Sequence, residues 1–118
     1  MSRVLIVADE PWVLNEVHAA LSIGDNELLD HPDPATAADV ANDGSVDVAV
    51  VDLQIDSMGG FAVTRTIRNA EEPVPVVLLL DREADLFLAG RAGASAWVVK
   101  PFTASALRAA ITDVTGAA

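Results

Sequence analysis

The sequence predicts a doubly wound α/β domain, a (βα)5 parallel sheet with helices on both faces. Three observations predict it. Five apolar runs recur along the chain, and four of them are blocks of Val, Leu, Ile or Ala without polar alternation, as expected of strands covered on both faces. The segments between the runs carry apolar residues at helical spacing. The links are short, which makes neighbouring strands parallel and places the helices as crossovers.

The first strand is Val4–Val7, followed by Ala8-Asp9-Glu10. Glu10-Pro11 opens the first helix, because Pro is tolerated in a first turn where its missing N–H is not needed. Val13, Leu14, Val17 and Leu21 form its buried stripe, and Gly24 marks the exit. Glu27–Leu29 is the weak second strand. Asp33-Pro34 starts the second helix, with Ala37, Ala38 and Ala41 on one face before the turn Asn42-Asp43-Gly44. Val46–Val51 is the third strand. Gly59-Gly60 precedes the third helix, buried through Phe61, Val63, Thr64 and Ile67. Val76–Leu80 is the fourth strand, and Asp81 to Ala92 the fourth helix, with Leu86, Leu88 and Ala89 inward. Ala96–Val99 is the fifth strand. Thr103 to Val114 is the fifth helix, capped by Thr103 or Ser105 and buried through Leu107, Ala110, Ile111 and Val114.

At 118 residues and 12.3 kDa the chain is expected to be a single domain, 1–118, with no output domain in it. A hydrophobic content of 52% and a mean hydropathy of +0.38 exclude a disordered chain. The absence of Cys excludes disulfides, thiolate metal sites and Cys nucleophiles. No run has the length of a membrane span or the form of a signal peptide, so a cytoplasmic location is expected. The net charge of −11 opposes nucleic acid and anionic membranes as partners. That charge is confined to residues 1–60, which hold 12 acids and one base, Arg3; residues 61–118 hold six of each.

In an open parallel sheet, ligands bind beyond the carboxyl ends of the strands. Three strands end there in ionisable residues: Asp9 and Glu10, Asp52, and Lys100, which is followed by Pro101-Phe102. An ionised group directly after an apolar run must reach the rim or be paired. Two carboxylates and an ammonium at one rim suit Mg²⁺, which favours one or two carboxylates with waters and phosphate oxygens. One Asp could then attack phosphorus as a nucleophile, with the lysine neutralising charge on the transferred group. Lys100 is the only lysine among seven basic residues, and an ammonium is not interchangeable with a guanidinium. Taken singly, Asp9 could be a helix cap and Asp52 a turn residue; their co-occurrence with Lys100 favours a site. His18 and His31 lack spaced partners and read as surface residues, and Gly90 and Gly93 as a helix exit.

Val4-Leu5-Ile6-Val7-Ala8-Asp9-Glu10-Pro11, Val50-Val51-Asp52-Leu53 with Met58-Gly59-Gly60-Phe61, and Gly93-Ala94-Ser95-Ala96-Trp97-Val98-Val99-Lys100-Pro101-Phe102 together resemble a response-regulator receiver domain. The resemblance implies the flavodoxin-like strand order 2-1-3-4-5. It also implies phosphoryl transfer to Asp52 from a histidine kinase or phosphotransfer protein, in two-component signalling. Asp9, Asp52 and the backbone carbonyl of Gln54 match the Mg²⁺ ligands. Lys100 matches the lysine that pairs with the acceptor, and its bond to Pro101 the usual cis peptide. Trp97 matches the aromatic switch position, although packing at the sheet edge is its simpler role. The domain is then no turnover enzyme; at most it catalyses its own phosphorylation and dephosphorylation.

Three positions depart from the family pattern. Ala8 replaces the first of two adjacent acids, which weakens Mg²⁺ binding. Leu80 stands where a Ser or Thr hydroxyl should meet the phosphoryl group, and Asp81 replaces the small residue beside it. Asp81 is expected to take Lys100 as a partner and to repel a phosphodonor, and Asp56 adds further negative charge. The expectation is an atypical receiver with an impaired or absent switch. The alternative is a phosphorylation-independent pseudo-receiver, binding an output partner or a second copy through the strand-five face. A flavin carrier on this fold would need phosphate donors where Ala8-Asp9-Glu10 offers carboxylates. An Asp-x-Asp phosphatase would need an acid at Gln54.

Overall fold

The computed structural model describes residues 2–55 and 58–116. Five strands, β1 (Ser2–Val7), β2 (Asn26–Asp30), β3 (Val48–Asp52), β4 (Val76–Leu80) and β5 (Ala96–Val99), form one sheet in the order β2-β1-β3-β4-β5. Every adjacent pair is parallel. The helices are α1 (Pro11–Leu21), α2 (Ala37–Ala41), α3 (Gly60–Arg68), α4 (Leu86–Ala92) and α5 (Ala104–Thr115). The predicted fold class and strand order are both borne out. Among the described residues no helix is long and apolar enough to cross a membrane.

Strand alternation divides the core into two layers. Val4, Ile6, Val48, Val50, Val77 and Leu79 pack beneath α1 and α5, against Val13, Val17, Leu107 and Ile111. Leu5, Val7, Ala49, Val51, Val76, Leu78 and Leu80 face the other side, against Ala37, Ala41, Val63, Ile67 and Ala89. Successive side chains of a strand point to opposite faces, so uninterrupted apolar runs are what a sheet with two covered faces requires.

Several boundaries differ from the periodicity. β2 extends one residue beyond Glu27–Leu29 at each end because it pairs with β1 from Ser2↔Asn26 to Ile6↔Asp30. β3 starts at Val48, and Asp52 is its last residue. α2 begins at Ala37, not Asp33, because Asp33 closes a turn: Oδ1 accepts from the Ala35 amide at 3.0 Å and Oδ2 from the Thr36 hydroxyl at 3.3 Å. The fourth helical segment is shorter than Asp81–Ala92, with a single 3₁₀ turn over Glu83–Asp85 before α4. Leu88, expected inward, is half exposed on that short helix, whereas Ala89 is buried. The N-cap of α1 is Glu10, one residue after Asp9, with Pro11 in the first turn. Thr103 caps α5, its Oγ1 accepting from the Ala106 amide at 3.1 Å.

Candidate functional site

β3 delivers Asp52 to the carboxyl edge of the sheet with no exposed surface. A carboxylate is left there only if other groups satisfy it. Oδ1 accepts from Lys100 Nζ and, at 3.2 Å, from the Gln54 amide. Oδ2 is buried and has no hydrogen-bond partner among the described residues. Lys100 follows β5, and its amide donates to the Leu80 carbonyl at 2.8 Å, which extends the β4–β5 ladder by one step and aims the side chain at the neighbouring strand ends. The Lys100–Pro101 peptide is cis. The Lys100 side chain is only 8% exposed.

Asp81, the residue after β4, reaches the same ammonium, with Oδ1 3.2 Å from Lys100 Nζ. Its Oδ2 accepts from Gln54 Nε2. Lys100 is thus shared between Asp52 and Asp81, as expected from their positions on adjacent strands. These groups line a cavity of about 340 Å³ with Glu10, Trp12 and Val13. Its lining holds three carboxylates, Glu10, Asp52 and Asp81, against one ammonium, and among the described residues it includes no hydroxyl. A larger cleft, about 570 Å³ between α2 and α3, contains none of the site residues.

Leu80 is fully buried and belongs to the core layer that includes Ala89, with Leu86 and Val99 at its margin. Trp97 lies on the edge strand opposite Leu78 and is 39% exposed. Ala8 is buried and Asp9 partly so, immediately after β1. Asp56 lies outside the described residues. The two histidines do have partners: His18 Nε2 meets Asp30 Oδ1 at 2.7 Å, and His31 Nε2 meets Thr36 Oγ1 at 2.8 Å. Both pairs are polar contacts of exposed groups and belong to no ligand cluster.

Two features escaped the sequence reading. The Trp12 ring lies 5.5 Å from Lys100 Nζ, a cation–π contact that covers the ammonium from the α1 side. Trp12 carries no mark in the periodicity of α1, and only its closeness to Asp9-Glu10-Pro11 could have pointed to the site. The second is the Gln54 side chain, expected to contribute only its backbone.

Gly60 ties the acceptor strand to α3. A Cβ on it would stand 2.5 Å from the Leu53 Cα and 2.7 Å from the Asp52 carbonyl oxygen, both backbone atoms that cannot swing aside. The Gly60 amide also donates to the Leu53 carbonyl at 2.9 Å. Gly60→Ala is therefore expected to cost about 2–3 kcal/mol by overpacking and to displace Asp52. A urea titration gives the cost.

Among the described residues, no group of three or more His, Asp or Glu side chains is placed to hold a metal ion. Ala8 supplies no carboxylate where a third would stand. The orphaned Asp52 Oδ2 on β3, with Asp9 two residues past the end of the paired strand β1, nevertheless suits a divalent cation that retains most of its waters.

A family model described as the response regulator receiver domain matches residues 4–112. The heme response regulator HssR of Staphylococcus aureus (strain Newman) is 34% identical over 104 residues, a match covering 86% of this chain and 46% of HssR. The chain thus spans about half the length of the curated relatives it matches. The receiver domain of the sensor histidine kinase PA1611 from Pseudomonas aeruginosa PAO1, solved with a magnesium ion in its active-site cleft, superposes with a TM-score of 0.86 at 23% identity, over 98% of each chain. A response regulator receiver domain protein from Clostridium thermocellum superposes with a TM-score of 0.85 at 26% identity, over 98% of this chain and 95% of that one. With that match over residues 4–112 and its 2-1-3-4-5 sheet, this chain belongs to the response regulator receiver domain family.

Proposed function

We propose that this receiver works in the cytoplasm, accepts a phosphoryl group on Asp52 from the phosphohistidine of a histidine kinase or phosphotransfer protein, and has an impaired strand-four switch. The observation that carries the reading is the buried Asp52, paired through one oxygen with Lys100 and unpaired at the other. An oxygen of its carboxylate attacks phosphorus, the phosphorus–nitrogen bond to the donor imidazole breaks, and the imidazole leaves with the electron pair. Charge spreads over the phosphoryl oxygens during transfer, and Lys100 is placed to neutralise part of it. The chain directs this self-catalysed transfer to and from its own side chain and turns over no other substrate.

Asp9, Asp52 and the Gln54 carbonyl would hold Mg²⁺, as a magnesium ion is held in the cleft of the P. aeruginosa receiver. The ion supplies positive charge that offsets repulsion between Asp52 and the donor phosphate. With one acid fewer, binding is weak. Ala8→Asp restores that acid at a buried position. It is expected to lower stability without cation, to regain it with Mg²⁺, and to tighten Mg²⁺ binding by about tenfold. Tryptophan emission during a Mg²⁺ titration measures the affinity, since Trp12 lines the same cavity.

The impaired switch follows from Leu80. Its side chain offers the phosphoryl oxygens no hydrogen-bond donor, so it cannot pull the end of β4 inward when Asp52 is modified. The burial of Leu80 in the core and the engagement of Lys100 by Asp81 also favour a second reading, a module that binds an output partner or a second copy through the β5 face without phosphorylation. Asp52→Asn separates the two. Partner binding that survives the substitution and ignores Mg²⁺ supports the second; binding that needs an intact, modified Asp52 supports the first.

A further inference from the structure

Four of the polar groups at the site form layers of increasing exposure. Asp52 is fully buried, the Lys100 side chain is 8% exposed, the Asp81 side chain is 32% exposed, and Gln54 is exposed. Asp81 uses both of its oxygens: Oδ1 holds Lys100 Nζ at 3.2 Å and Oδ2 accepts from Gln54 Nε2. The Gln54–Asp81 hydrogen bond joins the segment after β3 to the segment after β4, across the cavity that leads to Asp52.

We propose that Gln54 and Asp81 form a latch across the mouth of this pocket, with Asp81 an internal ligand of Lys100 that an incoming phosphoryl group must displace. The latch rests on the reading of Asp52 as the acceptor for its role in transfer, but its shielding of Lys100 is independent of that reading. A dianionic phosphoryl group needs the ammonium that Asp81 occupies, and like charges that close repel strongly. Through its side chain Gln54 is a positioning residue: the amide is uncharged, and it acts by holding the Asp81 carboxylate over Lys100.

The chain itself supplies a reporter, because Lys100 is its only lysine. Labelling by an amine-acylating ester, read by peptide mass at Lys100, measures access to the pocket without any phosphoryl chemistry. Gln54→Ala is expected to raise the Lys100 labelling rate about threefold and Asp81→Ala about tenfold, with the double variant no faster than Asp81→Ala alone, since the two residues act as one unit. Circular dichroism confirms that each variant is folded.

A parallel assay uses acetyl phosphate with Mg²⁺. An oxygen of Asp52 bonds to phosphorus, the bond between phosphorus and the acyl oxygen breaks, and acetate leaves with the electron pair. Modification of Asp52 is expected to accelerate in the same order across the variants. Wild-type labelling and modification rates in Gln54→Ala would overturn the latch, leaving Asp81 as a repelling charge at most. If Asp52 stays unmodified in every variant, the acceptor reading fails, while the Lys100 labelling rates still decide whether the latch exists.

Discussion

Lys100→Met is expected to destabilise the domain by about 3–5 kcal/mol, the usual cost of removing one partner from a buried ion pair. Met keeps the length of the aliphatic stem, so the loss is chiefly one of charge. Without the ammonium, Asp52 retains a single donor among the described residues, the Gln54 amide at 3.2 Å, and its Oδ2 has no partner among them. Among the described residues Asp81 then keeps only Gln54, and Glu10 lines the same cavity, so three carboxylates share it with no counter-charge in its lining. Urea denaturation should show a lower midpoint with an unchanged slope. Adding Asp52→Asn to Lys100→Met removes the stranded buried charge and should recover most of the loss. An equal loss in the single and double variants would mean that Lys100 acts by packing alone.

The second large effect is expected at Leu80. Leu80→Thr supplies the missing hydroxyl, but at a fully buried position in the layer beneath α3 and α4. Leu80→Val should cost about 1 kcal/mol by loss of apolar volume. Thr has nearly the shape of Val, so its further cost, about 1–2 kcal/mol, measures the burial of an unpaired hydroxyl. For a domain of this size each kcal/mol lowers Tm by roughly 4 °C. The penalty should shrink when Asp52 is phosphorylated, because the phosphoryl oxygens then accept from the hydroxyl. Equal stability of the Thr and Val variants before phosphorylation would show that the end of β4 is not dry.

The parallel sheet was legible because four of its strands are apolar blocks that cannot lie on a surface, whereas the strand order came from the resemblance to receiver domains. Asp52 and Lys100 were legible for the complementary reason: an ionisable residue ending such a block is at the rim or paired, and here the two are paired with each other. Asp81 followed from its place after the strand between them. The errors have local causes. The Asp33 turn delays α2, and the 3₁₀ turn at Glu83–Asp85 shortens the fourth helical segment and leaves Leu88 outward. Both depend on turn chemistry that apolar periodicity does not register. Trp12 over Lys100 and Gln54 on Asp81 depend on side-chain reach between elements distant in sequence, which no spacing rule encodes.

The central claim is that phosphorylation of Asp52 is uncoupled from the aromatic position on β5. The most direct measurement places the protein with Mg²⁺ and excess acetyl phosphate, follows Asp52 by intact mass, and follows the Trp97 indole N–H by NMR in the same samples. A resonance of Trp97 that stays in place while Asp52 becomes modified is the predicted result, with any change confined to groups lining the pocket, such as Trp12. Stoichiometric modification of Asp52 accompanied by a clear shift of Trp97 would contradict it.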